Sequence, residues 1–272
     1  MINQKTQLNM VVGFPLEHTK SPLLHNAVYS ALKINAVLLA FPNKDLPSLI
    51  KTIKTLSVGL TAVTMPFKEK VIKYLDNCSP EVKMLKAANT IIQRNGKLHG
   101  YNTDVDGIKY ALRKTSLTKK NVLVIGAGGA SRAAAFVLQK NRSNIFWLNR
   151  TKKNALALVK IFGGKVIDVE DLEELKMDVI INTTPLGMYP HINISPLPDY
   201  EFKPYQTVFD MIYNPMDTQL LKQAKKSKSK IIYGIDMFIG QGIRQIELFN
   251  DKKIRSLKTI YAIKTLLIGN RL

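Results

Sequence analysis

The sequence predicts an α/β protein of two domains, the second built on a parallel sheet. Short Val/Ile/Leu-rich runs alternate with segments of helical periodicity along almost all of the 272 residues. The runs of the second half, such as NVLVIG at 121–126 and MDVIIN at 177–182, are Val/Ile-rich with continuous apolar centres, the pattern of strands buried on both faces. A glycine-rich turn, GAGGA at 126–130, stands between one such run and a helical pattern.

In chain order, NMVVGF (9–14) reads as a buried strand. SPLLHNAVYSALK (21–33) reads as a helix, with Ser21 as N-cap, Pro22 at the first helical position, and Leu24, Val28 and Leu32 on one face. AVLLAF (36–41) is a second strand, DLPSLIKTIKTL (45–56) a helix opened by Asp45, and GLTAVT (59–64) a third strand stopped by Pro66. A helical stretch from Lys68 to Leu75 and a turn at Ser79-Pro80 follow. ANTIIQ (88–93) and KLHGYN (97–102) flank Asn95-Gly96, a strong hairpin signal. A linking helix is expected near 104–116.

The second half continues with strands at 121–126, 144–149, 177–182, 207–212 and 230–235. Helices fit from the glycine loop onward, at 152–161, at 217–226 and after 236. A last helical pattern at 253–268 carries Ile254, Leu257, Tyr261 and Leu267.

Composition narrows the function classes. The single cysteine, Cys78, excludes an intramolecular disulfide, and four scattered histidines offer no paired metal ligands, so no metal is expected. No apolar run approaches the roughly 20 residues of a membrane span, and the polar MINQKTQLNM start does not indicate export, so the expected location is cytoplasmic. The formal net charge is +20, from 40 Lys+Arg against 20 Asp+Glu. Nucleic-acid binding is one reading of that excess. The positive side is 32 Lys and only 8 Arg, however, and arginine is the residue suited to bidentate phosphate and base contacts. A solvated lysine surface is therefore the preferred reading, with no nucleic-acid partner.

The glycine loop carries more chemistry. Gly126, Gly128 and Gly129 let the backbone turn tightly and approach a pyrophosphate, and the following helix offers free N–H groups and a positive dipole end. Ser131 stands where the dinucleotide fingerprint has its third glycine. Asn149 lies 23 positions beyond Gly126, near the place where an NAD site carries Asp or Glu. Here Asn149-Arg150-Thr151-Lys152-Lys153 holds no carboxylate. That set favours NADP, whose 2′-phosphate takes charge-assisted hydrogen bonds from Arg150 foremost. Lys152 and Lys153 also read as solvated helix surface.

In the first half, Thr19, Ser21, Thr64, Lys68, Asn89 and Asn102-Thr103-Asp104 follow the ends of apolar strands. Ligands of open α/β sheets bind beyond such ends. Taken singly, Asp104 and Ser21 read as helix caps and Asn89 as a turn residue. Together they suit a small polyhydroxylated acid.

These positions resemble the shikimate dehydrogenase family, within the shikimate/quinate dehydrogenase superfamily. The matching stretches are HTKSPLLHN (18–26), VTMPFK (63–68), AANT (87–90), NTDVDG (102–107), GAGGASRA (126–133), NRT (149–151), NTTPLGM (182–188), DMIYNP (210–215) and GIDMFIGQG (234–242). The resemblance implies a substrate-binding catalytic domain over 1–104, onto which a helix at about 250–272 packs back, a Rossmann-type NADP-binding domain over 105–249, and a cleft between them. It implies reversible, NADP-dependent reduction of 3-dehydroshikimate to shikimate, in aromatic amino-acid (chorismate) biosynthesis. It makes Lys68 and Asp104 the catalytic pair, and Thr19, Ser21, Thr64 and Asn89 substrate binders, joined by Tyr213 and Gln241 from the second domain. Gly126, Ala127, Gly128, Gly129, Ala130, Asn149, Arg150, Thr151 and Lys152 become cofactor contacts, with Thr183, Met211 and Gly234 on the nicotinamide side. A homodimer is seen in parts of the family. Thr19 stands where serine is usual, which keeps the hydroxyl. Ala62 stands where the family often has Asn or Ser, so one substrate hydrogen bond is missing, and a paralogue oxidising quinate or another cyclic hydroxy-acid is the alternative.

Overall fold

The structure, a computed structural model, describes residues 2–17 and 19–269, with Leu257 described by its backbone alone. His18 of the first matching stretch and residues 270–272 of the last expected helix lie outside the described residues. The chain forms two compact units. One takes the described residues up to Asp106 together with those from Gln241 onward, and the other is Gly107–Gly240. The division thus falls at 106/107 and 240/241, where the sequence places it at 104/105 and 249/250.

The first unit holds β1 (Gln7–Gly13), β2 (Ala36–Pro42), β3 (Leu60–Val63), β4 (Asn77–Cys78), β5 (Thr90–Arg94) and β6 (Lys97–Tyr101), in the sheet order β2-β1-β3-β5-β6-β4. β1 pairs in parallel with β2 and β3. The hairpin β5–β6 is turned by Asn95 and Gly96 at positive φ, and its β5 pairs antiparallel with β3. Alternation along β1 splits its side chains between two faces. Met10 and Val12 meet Leu49, Ile50 and Ile53 of α2 (Leu46–Thr55), while Asn9 Nδ2 donates to Tyr29 Oη of α1 (Ser21–Ala31) at 2.8 Å. Fully burying one such aliphatic side chain is worth roughly 1.5–3 kcal/mol.

The second unit holds β7 (Asn121–Ile125), β8 (Asn144–Leu148), β9 (Lys165–Val166), β10 (Val179–Asn182), β11 (Thr207–Asp210) and β12 (Lys230–Tyr233). All pairs are parallel, in the order β12-β11-β10-β7-β8-β9. This is the doubly wound order of a Rossmann sheet. The direction of winding reverses between β7 and β10, where such sheets open a crevice for a ligand. Beyond α3 (Pro80–Leu85), the remaining helices are α4 (Asp104–Leu112), α5 (Gly129–Lys140), α6 (Lys152–Phe162), α7 (Gln219–Lys226), α8 (Gly234–Asn250) and α9 (Leu257–Ile268). Ala133, Ala134 and Ala135 of α5 are wholly buried; their small side chains let the helix lie close against its neighbours.

Several local expectations shift. Ser21 is the first residue of α1 rather than its cap: Lys20 holds the cap position, and Thr19 Oγ1 accepts from Ser21 N at 3.3 Å. The helix expected at 68–75 shrinks to a 3-10 turn over Lys70–Tyr74, because the chain is already extended at Leu75 on its way to β4. Ser79-Pro80 opens α3 instead of a plain turn; Ser79 Oγ accepts from Val82 N at 3.4 Å and Pro80 needs no partner for a missing N–H. The linking helix stops at Leu112, and the last helix starts at Leu257 behind the Ser256 cap, with Ile254 N tied to Glu247 Oε1 at 3.0 Å. α9 lies against α1, where Lys20 Nζ donates to Leu267 O at 2.8 Å.

Candidate functional site

In the first unit a polar cluster gathers residues from three separate elements. After β3 the chain turns, Phe67 N donating to Thr64 O at 2.9 Å, and the buried Phe67 ring anchors the turn. Lys68 follows, and its carbonyl accepts from Ala88 N at 2.8 Å. Its ammonium is thereby placed 2.7 Å from Asp104 Oδ2, at the start of α4. The other carboxylate oxygen, Oδ1, accepts from Asn89 Nδ2 at 2.9 Å. Asn89 is oriented in turn: its Oδ1 accepts from Thr103 N and Thr90 Oγ1, both at 2.8 Å. The carboxylate is 11% exposed and the lysine side chain 30%, so the pair is shielded on one side and open on the other. Two of the three ammonium hydrogens stay available to a ligand.

Gln241 Oε1 lies 3.5 Å from Asn89 Nδ2. It belongs to the first unit, in the chain segment that returns there, and not to the second as the sequence places it. Thr19 and Ser21 follow the carboxyl end of β1, and Thr64 follows that of its neighbour β3, with Thr64 N donating to Val12 O at 3.0 Å. Gly13 has no room for a Cβ against Thr64, which is why the two strand ends approach so closely. Ala62 is buried in β3, paired with Thr90.

In the second unit a cavity of about 720 Å³ opens at the carboxyl ends of the strands beside the winding reversal. Gly126, Asn149 and Arg150 line it. Gly126 sits at φ +110°, and a Cβ there would stand 2.6 Å from Thr183 Oγ1. Thr183 Oγ1 donates to Ile125 O at 2.6 Å, so Ser131 Oγ, 2.6 Å away, is the donor to Thr183. Ser131 Oγ also accepts from Gly128 N at 3.0 Å. The serine in the third-glycine position therefore fastens the loop. At Gly128 and Gly129 a Cβ would meet nothing within 4 Å, so this side of the loop faces open space ahead of the α5 N-terminus. The half-buried Ala127 and Ala130 flank them. Room, backbone donors and one guanidinium at the cavity wall fit a dinucleotide phosphate chain.

Asn149 Nδ2 donates to Thr151 O at 2.8 Å and shapes the turn that presents Arg150. Thr151 holds the cap position of α6 and is exposed. Lys152 does not line the cavity; its ammonium is paired with Asp168 Oδ2 at 2.7 Å. Thr183, Met211 and Gly234 follow the ends of β10, β11 and β12, with Met211 N donating to Asn182 O at 3.1 Å. Gly234 is pressed against the carbonyls of Met211 and Ile212, leaving no space for a side chain. The Tyr213 ring lies 4.9 Å from the Phe238 ring, and burial pushes its phenol up from the ordinary range.

Two family models match the chain: the shikimate dehydrogenase substrate binding domain over residues 11–91, and shikimate / quinate 5-dehydrogenase over residues 109–189. A shikimate dehydrogenase (NADP(+)) of Methanococcus vannielii is 40% identical over 269 residues, covering 93% of this chain and 94% of that one. The chain belongs to the shikimate dehydrogenase family.

Solved members of the shikimate dehydrogenase family share the fold. A shikimate dehydrogenase crystallised in complex with NADP+ superposes with a TM-score of 0.92 at 37% identity, covering 98% of this chain and 96% of that one. The Thermus thermophilus shikimate 5-dehydrogenase, in complex with NADP(H) and shikimate, gives 0.88 at 30% identity, covering 96% and 99%.

Other site-shaping residues carry weaker sequence signals. Thr90 and Thr103, which orient Asn89, sit inside AANT and NTD but read from sequence as strand and turn residues. Asp210 is wholly buried, accepting from Asn182 Nδ2 at 3.0 Å, Ile212 N at 3.1 Å and Thr218 Oγ1 at 2.6 Å. Burial still outweighs these three donors and pushes its carboxyl up to about 6. Asn182 Oδ1 accepts from Thr184 N and Oγ1 and so shapes one wall of the cavity. Glu170, Glu173 and the 196–200 segment also line it, and no sequence motif announces them. Among the described residues no group of three or more His, Cys, Asp or Glu could hold a metal, and no helix is long and apolar enough to cross a membrane.

Proposed function

We propose that this chain is an NADP-dependent shikimate dehydrogenase that interconverts 3-dehydroshikimate and shikimate in aromatic amino-acid biosynthesis. The observation that carries the reading is the hydrogen-bonded ladder Asn89–Asp104–Lys68, close-set and half-shielded, within a chain of this family. Reduction of a ketone needs a proton for the nascent hydroxyl, and a lysine ammonium is a natural donor. Asp104 holds that ammonium in place; Asn89 holds Asp104. In the oxidative direction the same lysine takes the hydroxyl proton. Thr19 and Ser21 bind the substrate carboxylate, and Thr64, Asn89, Gln241 and Tyr213 its ring hydroxyls.

NADP, when bound, supplies or accepts the hydride. The Gly126–Ala130 loop would hold its pyrophosphate, Arg150 with Asn149 and Thr151 its 2′-phosphate, and Thr183, Met211 and Gly234 would face its nicotinamide. Lys152 contributes less, because Asp168 already holds it. On this reading the enzyme works in the cytoplasm and needs no metal, membrane or nucleic-acid partner. A homodimer is checked by gel filtration with light scattering.

The steady-state panel of shikimate and quinate against NADP and NAD tests the reading. Shikimate with NADP is expected to have the highest kcat/KM. Ala62 favours a second reading, in which quinate or another cyclic hydroxy-acid is preferred; quinate outperforming shikimate establishes that instead.

A further inference from the structure

We propose that Gln245 is a positioning residue for the catalytic ladder, holding it from behind through Thr90 and Asn89. The inference rests on the functional reading above and assigns a role to a residue outside the predicted site. Gln245 lies on α8, one helical turn beyond Gln241, and is 2% exposed. Its neighbours Ile243 and Ile246 are buried apolar residues, so a carboxamide here stands out. Gln245 Nε2 donates to Thr90 Oγ1 at 2.9 Å and to Asn89 O at 3.3 Å. With its lone pair so engaged, the Thr90 hydroxyl points its own hydrogen to Asn89 Oδ1 at 2.8 Å. Asn89 Nδ2 then donates to Asp104 Oδ1, and Asp104 Oδ2 accepts from Lys68. All donors run one way, from Gln245 toward the carboxylate, the arrangement in which successive hydrogen bonds polarise each other.

On the other side of the carboxamide, Gln245 Oε1 has no hydrogen-bond partner among the described residues, and nor has the buried His25 Nε2. His25 is wholly buried in α1 and its Nδ1 donates to Ser21 O at 2.9 Å. Burial lowers its pKa to about 4, so the ring is neutral at working pH and Nδ1 carries the proton. Ser21 and Lys68 stand on different elements, α1 and the turn after β3. The distance between a carboxylate bound at the first and a hydroxyl reacting at the second depends on how those elements are held. The path Gln245–Thr90–Asn89–Asp104–Lys68 crosses the interior of this one unit and holds the Lys68 end of that distance. An apolar residue of equal volume would fill the space as well but would leave the Thr90 and Asn89 ends of the path unheld.

Gln245→Leu and Thr90→Val test this in the full-length enzyme, with Lys68→Ala as control. In shikimate oxidation kcat is expected to fall at least tenfold in each variant, with KM for NADP within twofold of wild type. The double variant is expected to lose no more than the worse single one, because both cut one path. A kcat within twofold of wild type in either folded variant, or a fully multiplicative double loss, overturns the inference. Should Gln245→Leu fail to fold, Thr90→Val decides by the same criteria. A wild type without shikimate turnover, or Lys68→Ala as active as wild type, overturns the functional reading and this inference with it.

Discussion

Lys68 Nζ and Asp104 Oδ2 meet at 2.7 Å although 36 positions separate them in the chain. The contact exists because β5 and β6 bring the start of α4 back beside the turn after β3. Neither residue can move without losing the other, and the second oxygen of Asp104 is already held by Asn89. Lys68→Ala is therefore expected to lower kcat for shikimate oxidation by about 10²–10⁴-fold, the usual weight of a general acid–base group. Asp104→Asn leaves the lysine but disorders it, and a kcat loss larger than the change in shikimate KM is expected. Steady-state kinetics of both variants check this; near wild-type turnover in either removes its assignment.

Arg150 and Lys152 are neighbours in sequence but not in role. Arg150 lines the cavity, whereas Lys152 is paired with Asp168. Arg150→Ala is expected to raise KM for NADP about 10- to 100-fold, the loss of a charge-assisted hydrogen bond of roughly 1.5–3 kcal/mol, while NAD kinetics stay nearly constant. Lys152→Ala should change KM for NADP less than threefold. The reverse ranking would move the phosphate site to Lys152.

Gly126 combines φ +110° with a Cβ position 2.6 Å from Thr183 Oγ1. Gly126→Ala adds left-handed backbone strain of about 1–3 kcal/mol to a clash with a hydroxyl that is itself committed to Ile125. Lower thermal stability and at least tenfold weaker NADP binding are expected, read by differential scanning fluorimetry and by fluorescence titration. An alanine variant binding NADP like the wild type would show that the loop adapts.

His25 and Asp210 make stability depend on pH in opposite senses. Burial lowers His25 from 6.5 to about 4, so in that window the unfolded chain binds the proton and the fold does not. Its contribution is present above pH 6.5 and is lost as pH falls toward 4, about 3 kcal/mol in all. Asp210 is raised from 3.8 to about 6, so there the fold holds the proton longer than the unfolded chain. Its contribution is present below pH 3.8 and is lost as pH rises through 6, by a similar amount of about 3 kcal/mol. Urea unfolding from pH 4 to 8 is expected to show His25→Gln closing its gap to wild type as pH falls, and Asp210→Asn gaining on wild type as pH rises. Parallel curves for variant and wild type would contradict the burial of the group concerned.

Much of this was legible in the chain itself. Five strands of the second unit lie within two residues of where the sequence puts them, because a continuous run such as NVLVI can only be a strand or helix interior, and a glycine turn cuts it off; β9, only two residues long, carries no such run. Ser79-Pro80 reads from sequence as a turn but caps α3, since a cap and a turn use the same residues and only the hydrogen bond from Val82 N separates them. The motifs named Lys68, Asp104 and Asn89 but not what orients them. Gln245 shows no pattern at all, being one polar residue on a helical face.

By itself the sequence determined the alternation of strands and helices, the glycine loop and the family. These depend on backbone sterics and side-chain period, which act between residues a few positions apart. Only the tertiary structure decided that Lys152 belongs to Asp168, that Gln241 belongs with Asn89, and that Gln245 stands behind the catalytic ladder. Those pairings join residues 16 to 155 positions apart. A pairing over such distances is set by which strands lie side by side and how helices cover them, and a hydrogen bond responds to tenths of an ångström that no local pattern encodes.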